Sequence, residues 1–252
     1  MASLYDSADI YDLIENQERY DAYKEHWKSV LENKNIKSML DVSIGTGSVT
    51  LPITELGVSL SGSDLSETML DRCRKKAFDR DMSVELKNSD FRDLKCWHGN
   101  KYDMVASTGN SLAYVSNEDV LKTLEQMDAL VSDKGYLYFD LRNWDKILKE
   151  RNRFFLYNPF FVDDTRVNLV QVWDYNDDET MTFNLLYTFE KDNKIFRKEM
   201  FEERYTPVAR SLLLDKLKEL GYGDIQVGCF PFSFKSDEIE KLDWYTVVAH
   251  KE

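Results

Sequence analysis

SMLDVSIGTGSVTLPITELGVSLSGSD, residues 38–64, reads as a strand, a glycine turn, a helix and a second strand. The first strand, SMLDVS, closes near Asp41. The turn Ile44-Gly45-Thr46-Gly47 leads into a helix for which Gly57 supplies the left-handed stop. The second strand, VSLSGSD, ends at Asp64. Two short apolar strands joined through a helix make the crossover unit of a parallel sheet.

Working outward, the alternation continues to about residue 141. A helix is expected from Ser66 to Arg80, then the strand SVELKN and the loop SDFRDL. The strand YDMVAS follows with the loop TGNSLAYV, then a helix from Asn117 to Val131 and the strand YLYFDL, entered through SDKG. Upstream, Tyr20, Tyr23, Trp27, Val30 and Leu31 recur at helical spacing and mark an amphipathic helix. Downstream of Arg142 a short helix, WDKILK, gives way to a period of two. Phe183, Leu185, Tyr187 and Phe189 face one way, with Thr182, Asn184 and Thr188 opposite, and YNDDE and KDNK form the turns. The helix ARSLLLDKLKELG and the strands DIQVGCF and DWYTVVAH complete the chain. The expected architecture is α/β: a doubly wound, seven-stranded, mostly parallel sheet with a small antiparallel β lobe inserted. Its parts are a helical cap over 1–36, a core over 37–142 and 208–252, and the lobe over 143–207.

Composition bounds the function. A chain of 252 residues with 42% hydrophobic and 31% charged residues builds a proper core. The net charge of −13 repels phosphate backbones and anionic lipids, so neither a nucleic-acid nor a membrane partner is expected. No apolar run approaches the ~18 residues of a membrane span. The N-terminus has neither the basic start nor the apolar stretch of a secretory signal. Cys73, Cys96 and Cys229 are scattered, and His26, His98 and His250 lie far apart in sequence, so no metal site is expected. A cytoplasmic enzyme acting on a small molecule fits these features, as a monomer or a small homo-oligomer.

Four loops follow the C-terminal ends of the expected strands, where an open α/β sheet binds ligands. In the first, Asp41 precedes Gly45 and Gly47. The turn lacks GxGxxG and the Gly-Lys-Ser/Thr of a phosphate loop, and an acid ahead of the glycines repels pyrophosphate but attracts an ammonium group. In the second, Asp64 suits the two hydroxyls of a ribose. In the third, Asp90 suits an exocyclic adenine amine and Phe91 its ring. The fourth carries Thr108, Gly109, Asn110, Ser111 and Tyr114; Asn110 offers both donors and acceptors. An NAD-dependent oxidoreductase shares the acid at 64 but not the turn chemistry, and a non-catalytic nucleotide-binding module is a further alternative.

The series DVSIGTG, SGSD, SDFRDL, YDMVASTGNS and KGYLYFD resembles the motif set of class I S-adenosylmethionine (SAM)-dependent methyltransferases, whose fold is Rossmann-like. GNSLAYV (109–115), DLRNWDKIL (140–148) and ERYDAYKEHW (18–27) are similar to segments of glycine and glycine/sarcosine N-methyltransferases. The resemblance implies SAM as cofactor, S-adenosylhomocysteine as product, and a small amine or amino acid as acceptor. Another small N or O acceptor is the alternative. It implies that Arg19 pairs with the methionine carboxylate and that Ser43 lines the same end. Asp64 would hold the ribose, and Asp90 and Phe91 the adenine. Tyr11, Leu65, Thr108, Gly109 and Tyr114 would complete the cofactor contacts. Asn110 and Arg142 would hold the acceptor, with Tyr187, and Tyr157 beside it, lining the methyl-transfer pocket. Departures are Ser43 for a small apolar residue, Ile44 for the usual cysteine and Tyr114 for a histidine. No general base is visible: His98 stands before the fourth strand, so the amine is expected to lose its proton to solvent or to bound water.

Overall fold

The computed structural model describes residues 3–230 and 238–252. The chain opens with α1 (Ala8–Tyr11) and α2 (Gln17–Leu31). The Asn16 side chain caps α2 by accepting the Arg19 N–H at 2.9 Å, which fixes where Arg19 starts its reach. The core follows as β1 (Ser38–Asp41), β2 (Ser59–Asp64), α3 (Glu67–Asp79), β3 (Val84–Asn88), β4 (Tyr102–Ser107), α4 (Asn117–Asp128) and β5 (Val131–Arg142). Then come α5 (Trp144–Glu150) and the strands β6 (Phe154–Leu156), β7 (Phe160–Val162), β8 (Thr165–Tyr175), β9 (Met181–Lys191) and β10 (Lys194–Tyr205). The chain ends with α6 (Arg210–Glu219), β11 (Tyr222–Cys229) and β12 (Trp244–Lys251).

The main sheet has seven strands in the order β11-β12-β5-β4-β1-β2-β3. β1 to β5 are parallel, and β12 runs antiparallel to both β5 and β11. The period of two sorts side chains to two faces. Leu40, Val105, Leu137 and Phe139 join α4 and α6 in one core. Met39, Met104, Ala106 and Tyr138 join α2 and α3 in the other. Each buried Leu, Val, Phe or Met among these contributes about 1.5–3 kcal/mol. The order reverses between β1 and β4, and the crevice of a doubly wound sheet opens at such a point.

The second sheet, β10-β9-β8-β6 with β7 also on β8, is antiparallel. Along β9 the residues Phe183, Leu185, Tyr187 and Phe189 are buried and those between them more exposed, as the alternation requires. This face turns toward the β5 end of the main sheet, where Trp144 packs at 5.9 Å from Phe183.

Two expectations about elements need correction. The helix after the glycine turn is only a 3-10 segment, Leu51–Leu56. Pro52 removes a donor and Val49, Thr50, Ile53 and Thr54 are β-branched, which disfavours a regular helix there. Gly57 does stop it, at φ +81°. The helix expected to reach Val131 ends at Asp128, and Val131 already belongs to β5, with Lys134 at φ +58° irregular within SDKG.

Candidate active site

Two cavities open along the C-terminal edge of the main sheet, and they share a wall. The first, of about 620 Å³, lies over β2 and β3 and is lined by Ser43, Asp64, Leu65, Asp90, Phe91 and Arg92, among others. The second, of about 410 Å³, lies over β4 and β5, between α2 and the inner face of the lobe. Tyr5, Tyr114 and Glu203 line both. The Tyr5 ring meets Tyr114 edge-on at 5.3 Å and Tyr11 at 5.6 Å. Glu203 on β10 holds the N-terminal segment by accepting from the Leu4 N–H at 2.7 Å and the Ser3 hydroxyl at 2.8 Å.

In the first cavity Asp64 ends β2 and turns its carboxylate back on two loops. Oδ2 accepts the Gly45 N–H and Oδ1 the Ser66 N–H, both at 2.9 Å. Burial raises its pKa, and these backbone donors oppose the rise. Each oxygen keeps lone pairs, so a pair of vicinal hydroxyls can donate to these two acceptors. Asp90 is partly spoken for: the Arg92 guanidinium engages both its oxygens at 2.6–3.0 Å and holds its pKa below the usual carboxylate range. Leu65, strongly exposed, and Phe91 supply apolar walls suited to a planar base.

Beneath the switch point the β1 and β4 loops are stitched together. The Thr108 N–H donates to Ser43 Oγ at 3.0 Å and the Thr108 hydroxyl to Asp41 Oδ2 at 2.7 Å. Asp41 also accepts the Ser43 N–H at 3.0 Å. Asp41 and Thr108 are thus fully buried below the turn rather than on a cavity wall, and burial pushes the Asp41 carboxyl up to about 6. Their neighbours satisfy them, so their influence on a ligand passes through the turn. Gly47 has φ +77°, and a Cβ there would lie 2.7 Å from Cys73 Sγ and 2.8 Å from Leu51, so the turn packs on α3 only because that atom is missing. The turn is also braced from just beyond α1: Asp12 takes Thr46 Oγ1, Arg72 and Lys76, each at 2.7 Å.

The second cavity gathers Tyr11, Arg19, Gly109, Asn110, Arg142, Tyr157 and Tyr187. Asn110 sits at φ +64°, a conformation asparagine tolerates. Its Oδ1 accepts the Arg142 N–H at 3.1 Å and the Trp144 indole at 3.0 Å. Two donors on one side fix the amide orientation and leave its NH₂ for the cavity. The Arg142 guanidinium makes no ion pair among the described residues; instead it lies 4.9 Å from the Trp244 ring, 5.3 Å from Phe183 and 5.7 Å from Trp173. Arg19 donates to the Tyr23 hydroxyl at 2.7 Å and lies 3.4 Å from Glu15. Tyr114 and Tyr205 join hydroxyl to hydroxyl at 2.6 Å, and burial raises the pKa of both.

Sequence reasoning did not reach Tyr5, Glu203, Asp140 or the three rings around Arg142. Glu203 had a signal: Phe201, Glu203 and Tyr205 alternate on one face of β10 and are all buried. Asp140 lies at the end of β5, 1% exposed, on the wall of the second cavity. His26, read only as distant from the other histidines, is buried against the Tyr138 hydroxyl at 2.7 Å, and burial lowers its pKa to about 3.

Comparison with known proteins gives these cavities their context. Residues 39–135 match the methyltransferase domain family. The glycine/sarcosine N-methyltransferase of Aphanothece halophytica is 28% identical over 243 residues, covering 96% of this chain and 86% of that protein. The enzyme of the same name from Parasynechococcus marenigrum (strain WH8102) is 29% identical, covering 95% and 80%. A SAM-dependent methyltransferase from Clostridium acetobutylicum ATCC 824 superposes with a TM-score of 0.77 at 17% identity, covering 98% of each chain. Fold, paired cavities and sequence together define a class I SAM-dependent methyltransferase. Among such enzymes it resembles the glycine/sarcosine N-methyltransferases. The oxidoreductase alternative falls away. No helix among the described residues is long and apolar enough to cross a membrane.

Proposed function

We propose that the protein methylates the amino nitrogen of a small carboxylate-bearing amine, of which glycine and sarcosine are the simplest members. The observation that carries this reading is Arg142: a guanidinium without an ion-pair partner among the described residues, beside the Asn110 amide, in the cavity next to the cofactor's. A guanidinium fork binds a carboxylate through two parallel hydrogen bonds. With net charge −13, an amino acid is a more suitable guest than a polyanion.

In this reading the first cavity takes the nucleoside. Asp64 holds the ribose hydroxyls, Leu65 and Phe91 sandwich the adenine, and Asp90, steadied by Arg92, accepts from its amine. The methionine end bends over Gly45 and Gly47 past Ser43 and Gly109 toward Arg19, with Asp41 acting through Thr108. SAM supplies an activated methyl group on a positively charged sulfur. The protein's part is alignment: Tyr5, Tyr11 and Tyr114 on the donor side, Tyr157 and Tyr187 on the acceptor side, Asn110 and Arg142 at the carboxylate. Alignment of this kind is worth up to ~7–11 kcal/mol of barrier. Residues 1–36 then serve as a cap and the lobe, 143–207, as the acceptor's wall, in an enzyme of the cytoplasm.

The test is a screen of glycine, sarcosine, other amino acids and carboxylate-free amines, scored by S-adenosylhomocysteine formation. Turnover confined to carboxylate-bearing amines is expected. Preference for amines without a carboxylate, or for hydroxyl acceptors, defeats the reading.

A further inference from the structure

β5 delivers two polar side chains to the acceptor cavity, and the second is more unusual than Arg142. Asp140 is fully buried, and its Oδ1 accepts the Gly109 N–H at 2.8 Å. Its Oδ2 makes no hydrogen bond of normal geometry among the described residues, and the Tyr138 hydroxyl is the side-chain donor that approaches the carboxyl and lowers its pKa. A buried carboxylate oxygen left bare is costly, and such atoms are few in folded proteins. The residue lines the cavity together with Gly109, Asn110 and Arg142, the groups assigned above to the acceptor.

We infer that Asp140 is a catalytic residue: its unpartnered oxygen takes the proton from the acceptor's ammonium group and so frees the amine for methylation. This rests on the amine reading above. In the step, an N–H bond of the ammonium breaks and the proton passes to Oδ2. The freed lone pair forms the N–C bond as the C–S bond breaks, its electrons returning to sulfur, so the sulfonium leaves as a neutral thioether. The product carries the positive charge as a methylated ammonium, and the proton on Asp140 goes to solvent before the next turnover.

The surroundings suit the task. Burial pushes the Asp140 carboxyl up to about 8; the Gly109 N–H and the Tyr138 hydroxyl oppose this, and the charge of Asp41 on β1 adds to it. A base tuned near the working pH accepts a proton and returns it efficiently. The other groups facing it are Tyr23 of α2 and, on its own strand, Tyr138 and Arg142, while β12 presents the uncharged Thr246 opposite. His26 of α2 contacts the Tyr138 hydroxyl at 2.7 Å.

The experiment uses the whole chain with the carboxylate-bearing amine that the screen above finds turned over fastest. If the wild type turns over none, the amine reading fails and this inference with it. Given turnover, Asp140→Asn keeps the shape and can still accept from Gly109 through its amide oxygen, but takes no proton. At about pH 7.5 its kcat should fall by about 100-fold or more, with SAM affinity by calorimetry within about threefold of wild type. The deficit should shrink below about tenfold near pH 9.5, where solution deprotonates much of the acceptor. A deficit equal at both pH values, or a kcat within about threefold of wild type, overturns the assignment. Should the variant not fold, the wild type still decides. At saturating acceptor, kcat stays within about threefold between about pH 8.5 and 9.5 if Asp140 is the base, whereas a rise near tenfold overturns it.

Discussion

The two cavities are built by different means. The cavity proposed for the nucleoside is local: Asp64 and Leu65 stand at the end of β2, Asp90 and Phe91 just beyond β3, and each answers to a loop a few residues long. The cavity proposed for the acceptor is assembled from α2, the loop after β4, the end of β5, the lobe strands and β12. It is also more aromatic, and its cation is held among rings rather than by acids. The difference teaches where specificity can change. A site made of strand-end loops fixes one ligand, whereas a site made of distant walls is retuned by repacking any of them.

The sharpest way to break that contrast is Arg142→Ala. It should lower kcat/KM for a carboxylate-bearing acceptor about 30- to 1,000-fold, or about 2–4 kcal/mol, while calorimetry finds SAM binding unchanged. Equal damage to both ligands would mean that the cavities are one site. The converse is Asp64→Ala, expected to weaken SAM binding about 10- to 100-fold through lost charged hydrogen bonds; acceptor KM at saturating SAM should barely move. Gly47→Ala tests the turn that packs on α3 behind both cavities. Its φ of +77° and the 2.7 Å approach to Cys73 predict about 1–3 kcal/mol lost in denaturant unfolding, with both ligands affected.

The smallest effect is on stability against pH. Asp41 and Asp140 have carboxyls raised to about 6 and about 8 by burial, so the folded chain holds protons that the unfolded chain releases near pH 4. Their contribution is therefore full below about pH 4 and is lost as pH rises, through about 6 for Asp41 and about 8 for Asp140. Asp140→Asn should flatten the decline between about pH 5 and 8 by about 1–2 kcal/mol, measured as denaturant midpoints. An unchanged slope would show that Asp140 is already charged in the fold.

The same contrast explains what the sequence disclosed. Strands β1 to β5 and the loops after them were legible because alternation and glycine punctuation are local signals, and the nucleoside-side residues came with them. Asp41 was legible as an acid but not as a buried one, since its satisfaction by Thr108 depends on β1 and β4 being neighbours. Asn110 was read from its loop after the fourth strand, whereas Arg142 was reached through resemblance. Tyr5 lies in an unpatterned segment, and Asp140 sits inside the strand YLYFDL, where nothing local marks a buried acid facing a cavity. The helix after Gly47 failed for a nearer reason: proline and β-branched residues defeat it.

One feature reaches beyond either chamber. Because Glu203 on the lobe grips Ser3 and Leu4, the aromatic partition between donor and acceptor is clasped by two stretches 200 residues apart in sequence. On the proposed reading, a change at either stretch shifts the septum across which the methyl group travels, so Glu203→Gln perturbs catalysis without touching a ligand.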